Sequence, residues 1–94
     1  MGISKKTVEF YCENIEKLSI KIPWRYFIHI MKKCFGFEVF SAGKTSGSKR
    51  LFINGDIRFN ADEPHGRESI VDRTSRINAI RAIQMLKAKK DGSA

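Results

Sequence analysis

The sequence predicts an α+β fold: two layers, with a three-stranded antiparallel sheet packed against helices in the order α-α-β-β-β-α. Three observations carry this expectation. Two N-terminal segments and one C-terminal segment repeat apolar residues at helical spacing. Three short extended runs lie between them, and Asn54-Gly55 between two of these is a strong hairpin signal. A chain of 94 residues can bury roughly 60–65% of its unfolded surface, enough for one two-layer core. That length excludes large multidomain enzymes and long βαβ sheets, and the expectation is a single domain over 1–94.

The first helix is predicted from Ser4 to about Leu18. Val8, Tyr11, Cys12, Ile15 and Leu18 share one face, while Glu9, Glu13, Glu16 and Lys17 take the other. Ser4 suits the N-cap because its hydroxyl can accept from a free first-turn N–H. Ile22-Pro23 ends that pattern, and Pro23 is expected as the first residue of a second helix. Phe27, Ile30, Met31 and Cys34 form its core stripe, with Trp24 and Phe35 at the margin. Arg25, His29, Lys32 and Lys33 face out, and Gly36 ends the helix.

Phe37 to Phe40 reads as the first strand. The loop 41–48 is Gly- and Ser-rich and basic. Residues 50–53 and 57–60 form the hairpin strands, with Phe52 expected opposite Ile57 and Arg50 opposite Phe59. Phe52, Ile57 and Phe59 then share the core face, and Leu51, Ile53 and Arg58 the other. An uncovered face carrying Leu51 and Ile53 would be partly apolar and would suit a partner. The last helix is predicted from Thr74 to Lys90, with Ala79, Ile80, Ile83 and Leu86 inward. Arg73, Arg76, Arg81, Lys87, Lys89 and Lys90 are expected on its surface.

Charge narrows the function. Eighteen Lys and Arg against ten Asp and Glu leave +8. Such an excess suits a polyanion, usually nucleic acid, through phosphate contacts and counterion release. It is unevenly spread: residues 41–60 carry four bases and one acid, a local +3, whereas 61–75 carry two bases and four acids, a local −2. Two cysteines cannot build a disulfide framework or a zinc site, and Cys12 and Cys34 are expected as buried thiols. No run approaches the ~20 apolar residues of a membrane span. The first residues lack the apolar stretch of a secretory signal, so the expectation is a cytoplasmic protein with no membrane partner.

The catalytic inventory is short. No metal-ligand cluster is present, and no metal or cofactor is expected. Gly43 to Lys49 is Gly- and Ser-rich, but its order is not that of a nucleotide P-loop. His29 belongs to a polar helix face. His65 follows Pro64 directly after a strand, a stiff loop position where reactive groups are often displayed. On spacing alone, a structural or merely exposed role for His65 stays open beside a reactive one.

Gly47-Ser48-Lys49-Arg50-Leu51-Phe52, the hairpin, Pro64-His65-Gly66 and the apolar closing helix together resemble the HicA toxin family. The resemblance covers roughly residues 23–88 and leaves 1–20 as an added N-terminal helix. It implies a small mRNA-cleaving toxin with a double-stranded-RNA-binding-domain-like fold, neutralised by a HicB-like antitoxin. Many members carry a catalytic histidine after the Gly-Ser pair, where this chain has Lys49. It resembles the branch with Gly-Ser followed by two basic residues and a later Pro-His. Gly66 replaces the usual proline after that histidine, and Glu63 the basic residue before Pro64. Gly47, Ser48 and His65 carry over.

Metal-free RNA cleavage uses the 2′-hydroxyl as nucleophile. It needs a base, an acid and cations around the phosphorane. An imidazole titrating near ~6.5 suits either proton transfer, so His65 is the acid/base candidate. Lys49 would supply the second transfer only with a pKa lowered by several units. Lys44, Gly47, Ser48, Lys49, Arg50 and Arg58 are the expected RNA contacts, mostly to backbone and shape. The alternatives are a non-enzymatic nucleic-acid-binding or regulatory module, and a homodimer formed through the sheet face or the N-terminal helix.

Overall fold

The computed structural model describes residues 3–41, 49–65 and 69–92. Its elements run α1 (Lys5–Glu13), α2 (Trp24–Lys33), β1 (Glu38–Ser41), β2 (Lys49–Asn54), β3 (Ile57–Asp62) and α3 (Arg73–Gly92). This is the predicted α+β order. The sheet is antiparallel in the order β1-β2-β3.

Ser4 caps α1 as expected: its backbone is extended and its hydroxyl accepts from the Thr7 amide at 3.5 Å. The helix stops at Glu13, five residues short of the predicted end. Asn14 stops it, its side-chain amide donating to the Phe10 carbonyl at 2.7 Å. Short polar side chains offer the backbone this alternative to another helical turn. No α1 residue is fully buried. Among the elements α1 packs on α2 alone, where Tyr11 and Tyr26 meet edge to face at 5.2 Å.

Pro23 is the N-cap of α2 rather than its first helical residue. Its extended ψ of 146° leaves Trp24 to begin the helix. Trp24, Phe27, Ile30 and Met31 are buried, which moves Trp24 from the expected margin into the core. The expectation of buried thiols is corrected: Cys34 is exposed at the end of α2 and Cys12 is only half-buried. Burial, and then a hydrogen bond to the neighbouring Cys34, push the Cys12 thiol up to about 12.

The hairpin register also departs from expectation. Phe52 pairs with Phe59 and Asn54 with Ile57, two residues from the predicted register, so Gly55-Asp56 forms the turn. Gly55 takes φ +62° whereas Asp56 keeps an ordinary φ, the pattern of a type II′ hairpin rather than type I′. Asn54 is drawn into the strand end because its side-chain amide donates to the Phe35 carbonyl at 2.8 Å. A slip of two residues preserves the side-chain parity of a strand. The predicted core face therefore stands: Phe52, Ile57 and Phe59 are all buried.

Both α2 and α3 cover that face. Phe52 stacks on Phe59 with centroids 4.6 Å apart and meets Phe27 at 5.5 Å and Trp24 at 6.3 Å. The α3 helix lies along β3, where Ala79, Ala82 and Ile83 are buried. Asp72 caps α3 through its carboxylate, which accepts from the Ser75 amide at 3.3 Å.

Arg76 overturns its predicted surface position: it is 3% exposed. Its Nε donates to the Ile15 carbonyl at 2.9 Å and its Nη1 to that of Ile20 at 2.8 Å. Its Nη2 reaches the Lys17 and Asn14 carbonyls at 2.9 and 3.3 Å. A helical wheel places Arg76 beside charged neighbours but cannot show a loop folded back over it. Burial pushes the guanidinium below its ordinary pKa.

Candidate functional site

The start of β2, the end of β3 and the chain after it converge at one end of the sheet, opposite the Gly55 turn. Register sets Lys49 across from Asp62 and Arg50 across from Ala61. His65 follows three residues after Asp62 and is exposed. Among the described residues its imidazole has no hydrogen-bond or ion-pair partner. The His65 carbonyl accepts from the Ser69 hydroxyl.

The return segment is tied to α2. The Trp24 amide donates to the Ser69 carbonyl at 2.8 Å, and the Val71 amide to the Ile22 carbonyl at 3.0 Å. Pro23 and Ile70 form an isolated antiparallel bridge. A first-turn helix N–H that would otherwise lack a partner is thus satisfied. The Asp62 amide donates to the buried Ser75 hydroxyl at 2.9 Å, so α3 fixes the other side of the connector. His65 therefore stands on a connector anchored at Asp62 and at Ser69.

The predicted cations do not stand free. Lys49 pairs with Asp62 at 3.4 Å, and Arg50 Nη2 pairs with Glu63 Oε1 at 2.6 Å. Sequence reasoning missed Asp62 and Glu63 as partners. The alternating local charge, +3 then −2, was the available signal, but the two-residue slip in register hid the pairing. These pairs are solvent-accessible and worth about 0–1 kcal/mol each, so an arriving phosphate can displace the carboxylates. The Lys49 side chain is half-exposed beside the Asp62 carboxylate.

Strand alternation also separates the expected RNA contacts. Lys49 and Arg58 lie on the outer face of the sheet, whereas Arg50 lies on the helix-covered side. Lys44, Gly47 and Ser48 fall outside the described residues, as does Gly66. Among the described residues, no three His, Cys, Asp or Glu side chains gather as a metal-ligand set. No described helix is long and apolar enough to cross a membrane.

Elsewhere a cleft of about 720 Å³ opens between the ends of α2 and α3. Lys33, Lys87, Lys89 and Lys90 rim it over an apolar floor that includes Phe35 and Leu86. Lys87 and Lys89 are paired there, with Glu16 at 2.8 Å and Asp56 at 3.4 Å.

Compared with known proteins, the chain matches no family model, no curated protein and no solved structure.

Proposed function

We propose that this protein binds RNA in the manner of HicA-like toxins, as the mRNA endonuclease of a cytoplasmic toxin–antitoxin pair or as a catalytically weakened relative. The observation that carries the reading is the convergence of Lys49 and Arg50 with the exposed His65 at one anchored end of the sheet. Its further support is the resemblance in Gly47-Ser48-Lys49-Arg50 and Pro64-His65. The α2-β1-β2-β3-α3 order, with both helices on one sheet face, is what a double-stranded-RNA-binding-domain-like fold requires.

In this reading Arg50 and Lys49, on opposite faces of the sheet end, each exchange a carboxylate for a separate backbone phosphate, assisted by Lys44. His65 takes the 2′-hydroxyl proton or protonates the leaving 5′-oxygen. With one histidine only one of these transfers is served, so cleavage is slow. A HicB-like antitoxin neutralises the protein by presenting carboxylates to Lys49 and Arg50. A non-enzymatic RNA-binding module is the second reading, favoured by the pairing of Lys49 with Asp62 and of Arg50 with Glu63.

The test is incubation of labelled single-stranded and structured RNA with wild type, His65→Ala and Lys49→Ala in EDTA. Cleavage that falls at least about a hundredfold in His65→Ala, with binding retained, is the expected result. Binding without cleavage by any variant leaves the second reading. Absence of salt-dependent RNA binding sinks both.

A further inference from the structure

The face of the sheet turned away from the helices carries two rows across the strands. One row is Glu38–Ile53–Arg58 and the other is Phe40–Leu51–Asn60. Phe40 is 46% exposed, an unusual setting for a phenylalanine, and Leu51 and Ile53 are only half-buried. Leu51 and Ile53 are the residues expected from strand alternation to make a partner surface; register adds Phe40 and orders the charges around it.

Those charges have a specific arrangement. Glu38 and Arg58 occupy opposite edges of a single row, and neither has an ion-pair partner among the described residues. Two strand spacings, roughly 10 Å, and Ile53 separate them. The face holds Glu38 and Asp62 against Lys49 and Arg58, so it is neutral on a chain of net +8. Elsewhere α2 and α3 carry the basic excess. Two copies repel each other through those helices but approach through this face without that penalty.

We infer that the outer sheet face docks a second copy of this chain in a two-fold, face-to-face dimer. A two-fold axis parallel to β2 lays one row over its counterpart in reverse order. Glu38 of each copy then meets Arg58 of the other, Ile53 meets Ile53, and Phe40 covers Asn60 beside Leu51. Sheets packed face to face lie about 10 Å apart, a gap that an opposed glutamate and arginine can bridge. An isologous contact needs a surface complementary to itself, and an acid and a base on opposite edges of one apolar row supply it. Such a nucleic acid as RNA would instead meet two carboxylates here for its two cations. The face is small, three short strands wide, so the dimer is expected at the weak end of specific interfaces. This inference does not rest on the RNA reading, although Lys49 at the end of the face and Arg58 on it figure in both.

A charge-swap cycle tests it by sedimentation velocity on the full chain from about 5 to 500 µM. Wild type is expected to associate with rising concentration. Glu38→Arg and Arg58→Glu are each expected to weaken association at least tenfold, and the double swap E38R/R58E to restore most of it. Circular dichroism of the four proteins checks that each is folded, and Phe40→Asp gives an independent loss without changing either partner of the pair. A wild type that stays monomeric throughout overturns the inference. So does a double swap as weak as the single ones, or association indifferent to all these changes. Loss of RNA binding in Arg58→Glu, without any self-association in wild type, assigns the face to nucleic acid instead and also overturns it.

Discussion

The guanidinium of Arg76 donates to four main-chain carbonyls between α1 and α2, and among the described residues no carboxylate pairs with it. Those carbonyls belong to a loop that has little regular structure to satisfy them. Arg76→Ala leaves the Ile15 carbonyl without a donor in a buried place and the other three in part-buried ones, and is expected to cost about 2–3 kcal/mol. Arg76→Lys should recover only part of this, since an ammonium has three donors and no planar fork. Urea unfolding followed by Trp24 fluorescence measures both. A loss below about 1 kcal/mol in Arg76→Ala would mean that the loop is held by other contacts. His65 is the opposite case, an exposed side chain with no partner among the described residues on an anchored backbone, a setting that suits a displayed reactive group better than a packed one.

At the scale of elements, the hairpin and the end of α2 form one joint. Asn54 links them through the Phe35 carbonyl, and both neighbouring glycines take positive φ, Gly36 at 72° and Gly55 at 62°. A β-carbon on Gly55 would meet nothing within 4 Å, so Gly55→Ala carries only the backbone cost, about 1 kcal/mol. On Gly36 it would stand 3.3 Å from the Asn54 side-chain nitrogen, adding crowding at the hydrogen bond that sets the turn. Gly36→Ala is therefore expected to destabilise more than Gly55→Ala. Denaturation midpoints of the two variants decide this, and equal losses would show that Asn54 moves aside freely.

The whole molecule is a sheet lined on one side by basic helices and left neutral on the other, and the loop after its added α1 is tied to α3 from outside. Part of that tie is the Glu16 carboxylate, which accepts from Lys87 Nζ at 2.8 Å on α3. The hydrogen bond from Lys87 holds Glu16 below the ordinary carboxylate range, with a smaller contribution from Gln84. A carboxylate depressed in the folded state adds stability above the unfolded pKa of about 4.3, and loses it as pH falls through the lower folded value. The pair is exposed, so its worth is about 0.5 kcal/mol or less. Lys87→Met should be less stable than wild type by that amount at pH 7, and the gap should close as the pH falls below the ordinary carboxylate range. A gap unchanged at low pH would assign the loss to the lysine stem and not to its charge.

Periodicity of 3.6 and of 2 determined the element order, the core face of the hairpin and the apolar character of the opposite face. These depend on local spacing and on parity, which survive a shift of two residues. The register itself was decided in three dimensions, because Asn54 gains the Phe35 carbonyl by joining the strand. Helical spacing placed Arg76 at the surface, since nothing near it in sequence shows that residues 14–20 fold back over it. The candidate site divides the same way. His65 was legible from Pro64 and the strand before it, and Lys49 and Arg50 from their charge. Their pairing with Asp62 and Glu63, and the separation of Lys49 and Arg58 from Arg50, followed only from the register. So did the row that sets Glu38 and Arg58 at opposite edges, because a sequence orders residues along a strand whereas a charged surface is read across strands.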